Sequence, residues 1–324
     1  MASPNFSEIM ATTIAHRSKK VADNVTKNNA LLTRLSKKGK VKTFPGGINI
    51  VQEIEYAENS TFKRYSGYEL LNIAPSEVIT AAEFGIKQAV VSVSMNGLEM
   101  LQNSGEDAIL DLMEARIGNA ERTLTNNLAA DVYSDGTADS GKQMGGLALL
   151  VADTPTSGTV GSINRATWPF WRNLAFSGLT DGGQAISAGN IQSYMNSMFF
   201  KLSRGADKPD LIVADTNLFS FYVSSMQAIQ KIDSNSDVAD AGFTTVKFMG
   251  VDVVLDGAFG GNAPTNRMYF LNTDYLFYRP HASRNIVAIG GDRQNSNQDA
   301  VNQLIGWAGN MTMSNASLQG VLKA

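Results

Sequence analysis

Cysteine is absent from all 324 residues, so neither a disulfide nor a thiolate nucleophile nor a Cys-ligated metal can form, and a reducing compartment fits the composition. Histidine occurs twice, at His16 and His281, far apart in sequence and outside any HxxxH spacing, which leaves little from which to build a triad or a zinc site. No serine lies in a G-x-S-x-G turn. The glycines of Gly257-Ala258-Phe259-Gly260-Gly261 have no following Lys and no helix to receive a phosphate, and they read as a turn between strands. No apolar run approaches the ~20 residues that cross a bilayer. The start, MASPNFSEIMATTIAHRSKK, has no basic stretch followed by an apolar block of the kind a secretory signal carries. These absences lead to the expectation of a non-enzymatic, non-membrane protein with no metal and no cofactor.

What is present is an ordered, well-mixed chain, 43% hydrophobic and 18% charged, long enough for two modules with extensions. Its net charge of −3 is unevenly placed. Residues 1–45 hold nine cations (Arg17, Lys19, Lys20, Lys27, Arg34, Lys37, Lys38, Lys40, Lys42) against Glu8 and Asp23, which makes the start +7 and the remainder −10. A solvated surface segment explains such a run, and so does an arm laid against an acidic partner, either nucleic acid or a neighbouring subunit. Only Phe6 and Phe44 are aromatic in this region, so stacking on single-stranded bases is not expected. A helical fragment is expected over Asn24–Leu35, with a stop near Gly39.

After Gly46-Gly47, a period of two runs through Ile48, Ile50, Gln52, Ile54 and Tyr56. The cluster Glu58-Asn59-Ser60 then marks a turn before Phe62, Arg64 and Ser66, and the segment reads as a hairpin projecting from the body. Past Pro75, Ser76–Ser94 alternates like a strand or strand pair. It leads to a single long helix, Ser104–Ser134, with Ile109, Met113, Ile117, Ala120, Leu124, Leu128 and Val132 on one stripe. At ~1.5 Å per residue this rod spans roughly 45 Å, longer than a small core needs. A Gly/Thr/Ser-rich stretch, Thr137–Ile163, follows as a loop carrying one strand at Leu147–Ala152.

A second module begins near Asn164. Its expected elements are a helix over Ser187–Leu202, the buried strand LIVA with Asp215 capping the next helix, and strands within Val246–Leu255 and Met268–Phe277, with Pro280–Ile289 continuing that sheet. The last 30 or so residues return to the first module as closing strands. Asp233, Asp237 and Asp240 alternate like the opening of a calcium loop, but Val238 stands where the turn needs Gly and Thr244 where a bidentate Glu belongs, so an exposed loop is the reading. Paired acids on the long helix would need a cleft to act as catalysts, and none is evident.

The order of parts, with the phrases KPDLIVADTNLFSFY, FMGVDVVLDGAF and NTDYLFYRP, resembles the major capsid proteins of tailed bacteriophages with the HK97-type fold over essentially the whole chain. The resemblance implies an α+β, HK97-type capsid fold with an N-terminal arm (1–43), an E-loop hairpin (44–75) and a peripheral domain with spine helix and Gly/Thr-rich connector (76–163). An axial domain (164–289) and a return to the peripheral domain (290–324) complete it. It implies a virion protein, assembled in the host cytoplasm, that forms hexamers and pentamers of an icosahedral shell around double-stranded DNA. A separate scaffolding protein, a portal and a decoration protein are expected partners, with packaged DNA touched nonspecifically. An encapsulin-like cargo shell shares the fold and is the alternative; a soluble two-domain hydrolase is a remote one.

Within that frame, Tyr56, Phe62, Tyr65 and Tyr68 are the expected intersubunit anchors of the hairpin, with Lys63, Arg64 and Glu69 setting register through charge. Glu106, Asp111, Glu114 and Glu121 of the spine helix become landing sites for a neighbour's basic hairpin or arm. Arg17, Lys19, Lys20, Lys37 and Lys38 form an interior basic arm facing scaffold or DNA, and Asp233, Asp237 and Asp240 sit in an axial loop. Deletion of residues 1–20 is expected to impair shell assembly or genome retention, read by particle imaging and encapsidated DNA content; unchanged values for both would refute the arm.

Overall fold

Asn29 accepts hydrogen bonds from the Leu31 and Leu32 amides at 3.0 and 3.2 Å, and this cap opens helix α1, Ala30–Lys37. The structure, a computed structural model, describes residues 29–98, 106–226, 245–257, 261–294 and 299–324, with the side chains of 106–113 and 291–294 outside that description. Helix α1 stops where Gly39 adopts a φ of 67°. There the Gly39 amide reaches Ser36 O at 3.0 Å and the Lys40 amide reaches Leu35 O at 2.8 Å, the paired closure of a Schellman motif. The expected stop at Gly39 is thus observed.

Residues 40–44 then run parallel to a later strand, through bridges Val41–Tyr278 and Phe44–His281. Strand β1 (Asn49–Glu55) pairs antiparallel with β2 (Ile79–Gly85), from Asn49–Gly85 to Glu55–Ile79. The return strand is therefore not the expected Phe62–Ser66 segment; residues 57–78 form one long loop containing no strand. The expected period of two in β1 is present, with Ile50 and Ile54 buried and Val51, Glu53 and Glu55 exposed.

Strand β3 (Lys87–Asn96) precedes the long helix α2, Glu106–Asp131, whose stripe Ile117, Ala120, Leu124, Leu128 buries against the core while α2 packs along β3. The apolar run Leu147–Leu150 is a helical turn, not the expected strand. It plugs the end of α2: the Leu147 amide reaches Val132 O at 2.7 Å and the Gly146 amide reaches Ser134 O at 3.1 Å. A side chain at Gly146 would lie 2.3 Å from Asp131 O, so only glycine admits this closure. Short strands β4 (Thr159–Val160) and β5 (Ile163–Asn164) follow.

The second module supplies β6 (Leu174–Ser177), α3 (Ile191–Leu202), β7 (Leu211–Ala214), α4 (Thr216–Ser225), β8 (Thr245–Phe248), β9 (Val251–Leu255) and β10 (Arg267–Leu271). Helix α3 begins at Ile191 rather than Ser187, whose carbonyl instead closes a turn on the Asn190 and Ile191 amides. Asp215 caps α4 as expected, accepting from the Leu218 amide at 2.9 Å. The six-stranded sheet runs β6-β13-β10-β7-β9-β8, where β13 is Gly320–Lys323. LIVA sits in its middle with Leu211 and Val213 in one apolar cluster and Ile212 and Ala214 in the other, which is why the run shows no polar alternation.

Two boundaries differ from the sequence reading. Strand β11 (Leu276–Gln294) leaves the six-stranded sheet and pairs with β12 (Ala300–Met313), which pairs in turn with β3, so Pro280–Ile289 continues the three-stranded sheet instead. The chain end goes the other way, with β13 inserted between β6 and β10. Periodicity identifies a strand but not the sheet it joins.

The largest departure concerns the expected arm. Leu31, Leu32 and Leu35 are wholly buried in the principal core, so residues 29–44 are a strap within the fold, not a detached segment. Leu32→Ala is expected to destabilise the chain by ~2–5 kcal/mol in denaturant unfolding. A solvated arm would give a change near zero.

Candidate functional site

The loop 57–78 is rooted firmly and then left uncovered. At its root, the Tyr56 amide reaches Val78 O and its hydroxyl donates to Glu77 O, both at 3.0 Å, closing the two ends on each other. The Tyr56 ring packs 5.4 Å from Phe170 and 6.3 Å from Trp168. Tyr56, expected as an intersubunit anchor, is therefore engaged inside its own chain. Trp168 and Phe170 were not singled out from sequence; their signal was the aromatic density of TWPFWRNLAF. Beneath them, buried Arg165 donates to the carbonyls of Trp171 and Leu149 at 3.2 Å and to that of Leu150. Burial lowers its guanidinium to about 10.

Beyond the root the chain is held by short-range contacts. Asn59 accepts from the Thr61 amide at 2.9 Å, and Asn72 from the Ala74 amide at 3.0 Å, each an Asx turn. Lys63 pairs with Glu69 at 2.8 Å and Arg64 sits 5.5 Å from the Phe62 ring centre. The two charges expected to reach a neighbour, Lys63 and Glu69, thus meet each other within the loop. Phe62, Tyr65, Tyr68, Leu70, Leu71 and Ile73 remain exposed, from 50% at Leu71 to complete exposure at Tyr68.

The remaining sequence candidates divide sharply. Glu114 is exposed on α2, but Glu121 is buried, because its helical position falls on the flank shared with Thr125 and Leu128. It is not available as a surface landing site in the chain. The side chains of Glu106 and Asp111, and residues Arg17, Lys19, Lys20, Asp233, Asp237 and Asp240, lie outside the described residues. Lys37 is exposed on α1. Lys38 is not an open cation: it pairs with Asp210 at 2.9 Å and Asp274 at 3.1 Å.

Asp210 is the centre of that clamp, since Arg34 also approaches it at 3.3 Å and Thr273 donates its amide at 2.7 Å and its hydroxyl at 2.6 Å. Burial alone would raise its pKa, but the hydrogen bonds from Lys38 and Thr273 and the Lys38 charge outweigh it and hold the carboxyl below its usual value. The opposite balance holds at Asp256, which accepts from the buried Tyr133 hydroxyl where the end of α2 meets β9. Burial dominates there and pushes Asp256 up to about 6, against the Tyr133 and Asn262 hydrogen bonds that lower it. Among the described residues no group of three or more His, Cys, Asp or Glu side chains is placed to hold a metal ion, and no helix is long and apolar enough to cross a membrane.

No protein-family model matches the chain, and no curated protein matches it. Solved structures do. A chain of the cyanophage A-1(L) capsid asymmetric unit is 16% identical with a TM-score of 0.63, over 89% of this chain and 91% of that one. A chain of the satellite phage P4 procapsid is 11% identical with a TM-score of 0.50, over 100% and 92%. A chain of Mycobacterium phage Bobi is 11% identical, also at 0.50, over 91% and 90%. At these identities the likeness is one of fold: an α+β architecture resembling the HK97-type capsid proteins.

Asp256 supplies a pH test of the buried junction. Its folded-state value of about 6 lies above the ordinary 3.8, so the fold favours the neutral acid; stability is full below pH ~4 and declines as pH rises through about 6. Asp256→Asn keeps an acceptor for Tyr133 and removes the buried charge. It is expected to unfold up to ~3 kcal/mol harder than the parent at pH 8 and equally at pH 4, by urea titration.

Proposed function

We propose that this chain is the major capsid protein of a tailed bacteriophage, assembling into an icosahedral shell that encloses double-stranded DNA. The observation that carries the reading is the loop 57–78: rooted by an aromatic clamp, yet with six large apolar side chains uncovered. Aromatic residues each bury ~150–250 Å² when covered, and monomeric proteins rarely leave contiguous apolar surface beyond a few hundred Å². The chain-long likeness to phage capsid folds supports the same conclusion.

In this reading the mechanism is sequential covering. The loop of one subunit lies over the body of the next, a heterologous contact that closes into hexameric and pentameric rings and then a shell. Phe62, Tyr65 and Tyr68 supply the buried area. Arg64 carries the exposed loop charge that would set register; Lys63 and Glu69 hold the loop's own shape until a neighbour competes for them. The six-stranded sheet with α3 and α4 serves as the axial domain, and the three-stranded sheet with α2 as the peripheral domain. A separate scaffolding protein and a portal are the partners this reading assigns, with room for a decoration protein on the shell.

Phe62→Ala with Tyr65→Ala is expected to leave Tm within a few degrees of the parent while abolishing shells in negative-stain images, because both rings are largely exposed in the chain and Phe62 meets only its loop neighbour Arg64 among the described ring contacts. Normal particles from the double variant would refute the role given to the loop. The contents of wild-type particles separate the virion from a cargo compartment: nucleic acid supports the first, a packaged enzyme the second.

A further inference from the structure

Three cations converge on one ring. Lys40 Nζ and Lys42 Nζ each lie 5.4 Å from the centre of Phe277, and the Arg279 guanidinium carbon lies 5.3 Å from it. No two of them can be more than about 11 Å apart, twice the ring distance. The neighbouring clamp adds Arg34 and Lys38, and the carboxylates facing the group are Asp210 and Asp274. Among the described residues Asp210 and Asp274 are shared by Arg34, Lys38 and Lys40, so cations outnumber carboxylates even before Lys42 and Arg279 are counted.

The surplus is localised. Lys38 holds both carboxylates and Lys40 reaches only the outer one, Asp274, at 3.6 Å. Among the described residues neither Lys42 nor Arg279 has a carboxylate within ion-pair distance. Arg279 bonds Gln52 at 3.0 Å through one terminal nitrogen, while its buried Nε has no hydrogen-bond partner. Like charges held this close repel one another unless an anion of several charges joins them. Phe277 is only 8% exposed, so its ring offers cation–π support to the cluster but no face for a base to stack on.

We propose that Lys40, Lys42 and Arg279, gathered on Phe277, form a binding site for the phosphate backbone of duplex nucleic acid. Duplex DNA carries one negative charge per ~1.7 Å of axis, a density that lets a few closely set cations engage several phosphates without reading sequence. The inference rests on the shell reading only in naming packaged DNA as the occupant. It moves the contact from Lys38, which the Asp210 clamp engages, to the residues that follow α1.

The test titrates the full chain and its Lys40→Gln/Lys42→Gln variant against a duplex of about 30 bp, a single strand of equal length, poly-glutamate and inorganic tripolyphosphate, across a salt series. The variant is expected to bind duplex roughly tenfold more weakly near physiological salt, with the slope of log K against log salt reduced by about 2. Single strand and poly-glutamate are expected to bind more weakly and to change less. Lys42→Gln alone, at an exposed position with no ion pair among the described residues, is the control for folding and is expected to reduce the slope by about 1. Unchanged duplex binding by both variants overturns the site. Poly-glutamate or tripolyphosphate losing as much as the duplex on substitution overturns its assignment to nucleic acid in favour of an acidic segment or free phosphate. Imaging of wild-type protein reads the shell reading separately, since DNA binding at this cluster can fail while shells still form, and the reverse.

Discussion

Burial of Leu31, Leu32 and Leu35 brings α1 against both β7 of the six-stranded sheet and β11 of the three-stranded sheet, while Asn29 ties the same helix to Ala129 of α2 at 3.3 Å. One eight-residue helix therefore touches both sheets and, through its cap, the end of α2. Its polar face is locked as firmly, with Arg34 and Lys38 on Asp210. Apolar burial supplies the energy of this junction and the charge clamp supplies its orientation, because a partly buried carboxylate with several donors tolerates few alternative geometries. The two sheets share a core through this strap rather than facing each other as independent domains.

A body joined in this way can carry a loop that contributes nothing to its own stability. Residues 57–78 are anchored by Tyr56 against Phe170 and Trp168, and past that root they are shaped by contacts within the loop, among them the Asx turns, Ser60–Ser76 and the Lys63–Glu69 pair. Division of labour follows: the packed aromatics fix where the loop leaves the body, and the exposed ones are those that the proposed shell would cover with a neighbour. The cations on Phe277 are gathered by the same strap: Lys40 and Lys42 lie where residues 40–44 run beside β11, and Arg279 lies on β11 itself.

Much of the fold was legible before the structure. The stripe on α2 from Ile117 onward, with Ile109 and Met113 outside the described side chains, the alternation in β1, the Gly39 stop, the Asp215 cap and the doubly buried LIVA strand all follow from local rules and are observed. The candidate site was only half legible. Phe62, Tyr65 and Tyr68 are exposed in a projecting loop, but Tyr56 looked the same in sequence and turned out to be packed. Glu121 read as surface charge and is buried; Lys38 read as a free cation and is clamped. Sequence records a side chain's chemistry but not which distant residues come within reach of it.

The sequence by itself determined the periodic elements and the excess of apolar residues on a segment with no room to bury them, because helix, strand and cap signals act over a few residues. Tertiary structure alone decided which sheet received β11 and β13, which strand closed the hairpin, and that residues 29–44 of the basic segment are tied into the fold through Leu31, Leu32 and Leu35. Those outcomes depend on pairings such as Asp210 with Lys38 and Trp168 with Tyr56, between residues more than 100 positions apart. Such pairings are selected by the packing of the whole chain, and no local pattern encodes them.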